Sequence, residues 1–235
     1  MSQVRPEDRD RRDFGPWEPN ASVHQPVLVA RRSLLGSVAL VGVVSLAACG
    51  GGSPGALKGI VRDDPLDVGS VAVTDVTDTG LYAGEDEQFS FRARPGHLLV
   101  VYFGYTNCPD LCPTTLAELR AARRELGSDA ERVDLAMVTV DPERDTPEVL
   151  NGYLSSFTDR FNALRPVSEP ELVAVEDAFL ASSTIVKNAD GTIEVGHSAN
   201  AYVVDEQGLV VVEWPFGHGK DGMANDLEFL FDDMN

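Results

Sequence analysis

Five consecutive apolar residues, Leu98 to Tyr102, run directly into a loop with two cysteines four positions apart, and that loop runs into an amphipathic helix. An unbroken run of Leu, Val and Tyr suits a strand buried on both faces, which needs layers above and below it. The loop reads Gly104-Tyr105-Thr106-Asn107-Cys108-Pro109-Asp110-Leu111-Cys112-Pro113-Thr114-Thr115. A helix is expected from about Pro113 to Leu126, with Leu116, Leu119 and Ala122 on one face and Gly127 at its end. A buried strand feeding a helix through a short loop constrains the chain to a layered α/β fold.

The flanking sequence extends that plan. Val133 to Val140 reads as a second buried strand. Asp141-Pro142-Glu143-Arg144-Asp145-Thr146-Pro147 breaks it and caps a helix to about Phe157, with Pro147 at the first helical position. Another helix follows Pro170 and runs to about Ser182. Residues 185–195 read as a hairpin turning at Ala189-Asp190-Gly191. Ala201 to Val204 and Leu209 to Glu213 form a second hairpin, and a last helix covers about Gly222 to Phe231. Upstream, Val71 to Val76 and Gln88 to Arg92 are expected strands. Early alternation and late hairpins predict a mixed central sheet flanked by helices, a thioredoxin-like plan with an inserted hairpin.

The cysteine pair is placed for thiolate chemistry. If the second half of its loop is helical, a spacing of four puts both side chains on one side. A helix N-terminus offers partial positive charge and free N–H groups, which favour thiolate over thiol. Pro109 and Pro113 stiffen the loop and reduce the entropy lost on closing a metal site or a disulfide. Thiolates select Cu(I), zinc or iron–sulfur clusters. A structural zinc site wants four protein ligands, and the third cysteine, Cys49, is tethered elsewhere. Two sulfurs and one imidazole would suit Cu(I), which accepts low coordination numbers, or Cu(II) with a further ligand.

Three histidines follow Cys49: His97, His197 and His218. His97 lies in a Pro-Gly turn and His218 in a Gly-rich loop, where surface or turn roles are expected. His197 precedes the strand starting at Ala201, in a loop that could face the cysteines. On residues alone it is either a ligand or a satisfied loop histidine.

The formal net charge is −19. Residues 49–235 hold 13 basic and 33 acidic side chains. Such a surface repels phosphate backbones, which argues against nucleic-acid binding, and it suits cations or basic partners.

The front of the chain reads as an address. Residues 1–30 are polar and without apolar periodicity. Arg31 and Arg32 precede an uncharged run from Ser33 to Ala48, which is short for a membrane span and fits a signal peptide. Leu46-Ala47-Ala48-Cys49 resembles a bacterial lipobox, which implies cleavage before Cys49 and lipidation of its thiol. The alternative is an uncleaved anchor; either tethers the domain to the outer, extracytoplasmic face of the cell membrane. Arg31-Arg32-Ser33-Leu34-Leu35 resembles a twin-arginine signal, with departures at Ala30 and Leu34, so export by that route or by Sec stays open. The expected organisation is a leader and signal peptide over 1–48, a flexible tether over 49–67 and a folded domain over 68–235.

At Phe103 to Thr114 and again at Val138 to Pro147 the sequence resembles the Sco/SenC family of copper-handling proteins. The family's third ligand is a His about 90 residues after the first Cys, and His197 lies 89 after Cys108. The resemblance implies a thioredoxin-like fold and one copper held by Cys108, Cys112 and His197. It also implies a reversible Cys108–Cys112 disulfide and a role in building the dinuclear copper site of cytochrome c oxidase, whose copper-bearing subunit is the implied partner. Many relatives have an acidic residue directly before that His; here it is Gly196. Asp141 is read as a turn and helix cap, with an outer role near the site as the alternative.

Two other functions use the same cysteines. A thiol–disulfide oxidoreductase would need Cys108 and Cys112 but not His197. A peroxidase is suggested by Cys112-Pro113-Thr114, which resembles a peroxiredoxin turn, but Pro109 stands three residues before Cys112 where that family has Thr.

Overall fold

A computed structural model describes residues 56–84 and 87–234. The leader, the apolar run to Ala48, Cys49 and the first part of the tether lie outside the described residues. In chain order the elements are β1 (Ala72–Thr74), β2 (Gln88–Ser90), β3 (Leu98–Gly104), α1 (Leu111–Glu125), β4 (Val133–Thr139), α2 (Pro147–Ser155), β5 (Phe161–Leu164), α3 (Glu169–Phe179), β6 (Ser183–Lys187), β7 (Ile193–His197), β8 (Ala201–Val204), β9 (Val210–Trp214) and α4 (Lys220–Asp233).

The central sheet has the order β5-β4-β3-β8-β9. Strands β3, β4 and β5 are mutually parallel, β8 joins β3 antiparallel, and β9 joins β8 antiparallel at the edge. All seven residues of β3 and of β4 are buried, as continuous apolar strands require. Alternation along β3 sends side chains to two different layers. Phe103 meets Phe179 of α3 edge to face, with ring centroids 5.4 Å apart, and Phe179 also packs on Phe91 and Tyr202. Tyr102 and Gly104 turn the other way, toward Cys112 of α1. Helix α4 packs beside α1. This is the expected mixed sheet with helices, and the β6–β7 hairpin is a separate two-stranded sheet.

Three details differ from the sequence reading. The sequence pattern predicts no strand at β5: Phe161-Asn162-Ala163-Leu164 is only four residues long and carries a polar Asn. All four are buried, and the Asn162 amide donates to Asp75 Oδ2 at 2.8 Å. Backbone bonds from Val76 to Ala163 and from Arg165 to Thr74 seat the stretch after β1 along β5. Burial on both sides overrides the weak local pattern.

The folded part also begins before residue 68. The N–H groups of Lys58 and Gly59 donate to the Asp226 carboxylate at 2.6 and 2.9 Å. Ile60 exchanges two backbone bonds of 2.9 Å with Glu213, and Val210 N–H donates to Leu66 O. Residues 58–67 therefore run along β9, supplying partners to a strand that would otherwise be an open edge. Asp226 is fully buried and accepts Trp214 Nε1–H as well, so it ties α4, β9 and this segment together.

Asp141 forms a turn: its carbonyl accepts from the N–H groups of Arg144 and Asp145. The cap of α2 is instead Thr146, whose Oγ1 accepts from Val149 N–H, with Pro147 at the helix start.

Candidate metal centre

Strand β3 ends at Gly104, and the chain turns at once into the cysteine loop. A Cβ on residue 104 would lie 2.9 Å from Cys112 Sγ, 2.9 Å from Tyr102 Cε1 and 3.2 Å from Met137 Cε. Only glycine leaves room for the sulfur to sit against the strand end. The loop closes on itself through Cys108 N–H to Tyr105 O at 3.2 Å, and α1 then starts at Leu111. Cys112 lies in the first turn of α1, and its N–H points at Cys108 Sγ, 3.4 Å away.

A fully buried carboxylate fixes the front of this loop. Asp145 accepts from Thr106 N–H at 3.1 Å, from Thr106 Oγ1–H at 2.5 Å and from Thr139 Oγ1–H at 2.5 Å. It therefore pins the segment before Cys108 to the end of β4. Charge-assisted bonds of this kind are the stronger class, and inside the protein they hold a geometry well.

Both thiols are free and buried. Their environments differ. Burial pushes the Cys108 thiol up, but N–H groups of Cys112, Asp110 and Leu111 and the Cys112 thiol stabilise its thiolate, and the net direction is down. Burial dominates at Cys112 and, with the neighbouring Cys108 charge, pushes it up to about 12. The outer thiol is thus the easier one to ionise, as expected for a sulfur facing a helix start.

His197 reaches the pair from β7, 85 residues after Cys112. Its Nε2 is 3.7 Å from Cys112 Sγ. Its Nδ1 is 2.8 Å from Ser198 O. A carbonyl oxygen only accepts, so Nδ1 carries the proton and Nε2 presents its lone pair toward the sulfurs. The base of the hairpin is clamped by Ser198 N–H to Ser182 O at 2.9 Å and Ser182 N–H to Ser198 Oγ at 3.0 Å. Tyr102 and Tyr105 stand edge to face against the imidazole, with ring centroids 6.2 and 5.8 Å away.

The ligand atoms of Cys108, Cys112 and His197 all lie within 4.8 Å of one another. Beside them is a cleft of about 240 Å³ lined by Tyr105, Pro109, Leu111 and Val195 among others. The three residues picked out in the sequence are therefore brought together. His97 is elsewhere, with Nδ1 2.9 Å from Asp134 Oδ2. His218 stacks on Trp214 with Nε2 3.3 Å from Asp226 Oδ2, so it is a packed residue rather than a surface one. Asp141 pairs with Arg144, whose guanidinium lies 5.8 Å from the Tyr105 ring centre.

Sequence reasoning did not single out Gly104, Tyr102, Tyr105 or the anchoring role of Asp145. The alternation of β3 carried a signal for the first two, since residues 102 and 104 share a face. The position before His197 is open: no described residue lies within 4 Å of where a Gly196 Cβ would be, and the ring is oriented by the Ser198 carbonyl.

A family model described as SCO1/SenC matches residues 80–232. An SCO2-like protein of Rickettsia prowazekii is 36% identical over 124 residues, which cover 52% of this chain and 60% of that relative. The match thus spans about three-fifths of the relative's length. ScoI of Bradyrhizobium japonicum, solved with copper bound, is 29% identical with a TM-score of 0.55, over 70% of this chain and 96% of that one. The apo Sco1 protein of Thermus thermophilus is 29% identical with a TM-score of 0.61, over 74% and 96%. The fold shared with these proteins is thioredoxin-like.

Proposed function

Because this chain belongs to the SCO1/SenC family, we propose that it is a copper metallochaperone that holds one copper ion on Cys108, Cys112 and His197. It delivers the ion to, or prepares the cysteines of, the dinuclear copper site of cytochrome c oxidase, with the copper-bearing subunit as its partner. The observation that carries this reading is the meeting of two thiols and one imidazole within 4.8 Å. Soft sulfur donors and a neutral imidazole suit Cu(I), and three donors satisfy it without a fourth protein ligand. The copper-bound state of the B. japonicum relative supports copper as the ion. Copper is cargo here, so the cleft beside Cys108 and His197 is the face from which it would leave.

The experiment is metal analysis of the purified chain after Cu(I) loading. The expected result is about one copper per chain in the wild type, from the three-donor site found among the described residues. The ion should be lost in Cys108→Ser and held weakly in His197→Ala. Unchanged copper in Cys108→Ser would end the reading.

The unequal thiols favour thiol–disulfide exchange as a second activity. Cys108 as thiolate would attack a partner disulfide, releasing one partner thiolate and forming a mixed disulfide. Cys112 would then displace the second partner thiolate and leave a Cys108–Cys112 disulfide. His197→Ala separates the two readings, since exchange tolerates it and copper binding does not. The peroxidase alternative is disfavoured, because the thiol in the peroxiredoxin-like turn, Cys112, is fully buried and its ionisation is pushed to high pH.

The lipobox-like end of the signal segment supports lipidation of Cys49 and a place on the extracytoplasmic face of a bacterial membrane, reached by the Sec or the twin-arginine route. Mass spectrometry of the mature N-terminus tests this: an acylated Cys49 is expected, and an uncleaved leader overturns it.

A further inference from the structure

A second groove, of about 610 Å³, lies apart from the thiols, between α3 and β6. Three features of it point to one kind of occupant. The first is an open strand edge. The β6–β7 sheet has only two strands, so one side of β6 is unpaired among the described residues. Ser198 N–H bonds Ser182 O, and Asn188 N–H bonds Thr192 O. With the register Ser183↔His197 to Lys187↔Ile193, strand alternation turns the N–H and C=O groups of Ser183, Ile185 and Lys187 outward. Ser183, Thr184 and Ile185 line the groove, so the open edge borders it.

The second feature is a buried carboxylate with an unmet oxygen. Glu176 of α3 is 9% exposed, it lines the groove, and its Oε1 has no hydrogen-bond partner among the described residues. A buried anion left this way is costly, and a donor that reaches it is rewarded. One carboxylate oxygen lacks the further ligands a metal ion needs, whereas a single cationic side chain entering the groove would meet it.

The third feature is charge and surface. Glu169 adds a second acid, while the neighbouring cations are engaged: Arg165 donates to the Asp145 and Pro142 carbonyls, and Lys187 pairs with Glu143. Val167, Val173 and Ile185 are exposed along the groove and would cover the aliphatic stem of a Lys or Arg. A second copy of this chain, with its net charge of −19, is a poor electrostatic match.

We propose that this groove binds an extended, Lys- or Arg-bearing segment of a partner protein, which adds as a strand to the free edge of β6 and sets its cation on Glu176. Backbone bonds to Ser183, Ile185 and Lys187 give affinity, and the acidic pocket selects the side chain. This binding does not depend on copper, and it goes beyond the metal reading.

The test titrates the purified full chain with a fluorescein-labelled decapeptide alternating valine and lysine, and with the same peptide carrying glutamate for lysine. The lysine peptide is expected to bind, with Glu176→Gln weakening it about tenfold. On binding, the amides of Ser183, Ile185 and Lys187 should gain hydrogen-exchange protection. Copper loading of Glu176→Gln, measured separately, should match the wild type, so failure here and failure of the copper site are told apart. Equal binding of the glutamate peptide, unchanged exchange at those three amides, or protection that arises from self-association without peptide would each overturn the proposal.

Discussion

His197 Nδ1 and the carbonyl oxygen of the next residue, Ser198, are 2.8 Å apart, and this one contact decides which ring nitrogen faces the sulfurs. With the proton held at Nδ1, the donor is Nε2. The Cu(II)-loaded chain should therefore show coupling to one imidazole nitrogen in its electron paramagnetic resonance spectrum. His197→Ala should abolish that coupling and weaken binding by more than the roughly 10–100-fold typical of groups one layer further out. Coupling that persists in the variant would place the donor elsewhere.

The two thiols should separate by reactivity. Cys108 has the lowered value, so its thiolate fraction at a given pH exceeds that of a free cysteine, while Cys112 stays protonated until the pH nears about 12. Alkylation of the reduced metal-free chain should label Cys108 first, with a pH midpoint below that of a free cysteine thiol measured alongside. Peptide mapping after partial labelling checks this; Cys112 labelled first would contradict it.

Gly104→Ala should damage the site more than the fold. The added methyl would press on Cys112 Sγ and Tyr102 at 2.9 Å, so the sulfur must shift. Overpacking of this kind costs about 1–3 kcal/mol. Denaturant melting should show that modest loss, and a chelator competition should show a clear drop in copper affinity. Wild-type affinity would mean the strand end is softer than its contacts imply.

Asp145→Ala should unfasten the cysteine loop. It leaves Thr106 N–H and the hydroxyls of Thr106 and Thr139 without their acceptor in a buried place. The expected stability loss is about 2–4 kcal/mol. Asp145→Asn, which keeps the shape, should lose less, and copper affinity should fall in the same order.

Leu180→Gly should stabilise the protein. Leu180 ends α3 with φ of 51°, in the left-handed region, and is 63% exposed, so little packing is lost. Relief of this strain is worth about 1 kcal/mol. A thermal melt should rise by about 2–4 °C, as for a domain of 150–250 residues, with copper binding unchanged. A lower melting point would show that the Leu180 side chain contributes more than its exposure suggests.

Much of the architecture was legible because it is local. The buried runs of β3 and β4, the Pro147 helix start and the turn at Gly191 each declare themselves within a few residues. Strand β5 did not, since four residues with an Asn carry almost no periodic signal and become a strand only when β4 and the stretch after β1 flank them. The role of Asp145 was hidden for a similar reason: in sequence it is one acid in a polar turn, and its partners Thr106 and Thr139 come from two different strand ends.

The amino-acid order alone determined that a strand would deliver two cysteines to a helix start, because a spacing of four and a helix N-terminus act over one turn. What brought an imidazole to them was the tertiary structure. His197 lies 85 residues beyond Cys112, on a hairpin outside the central sheet. Its distance from the sulfurs is set by how the chain re-enters that sheet at β8 beside β3, a contact between segments that carry no local information about each other. The same holds for Glu176, an ordinary helix residue in sequence, which the fold leaves buried beside the groove between α3 and β6, with its Oε1 unpartnered among the described residues.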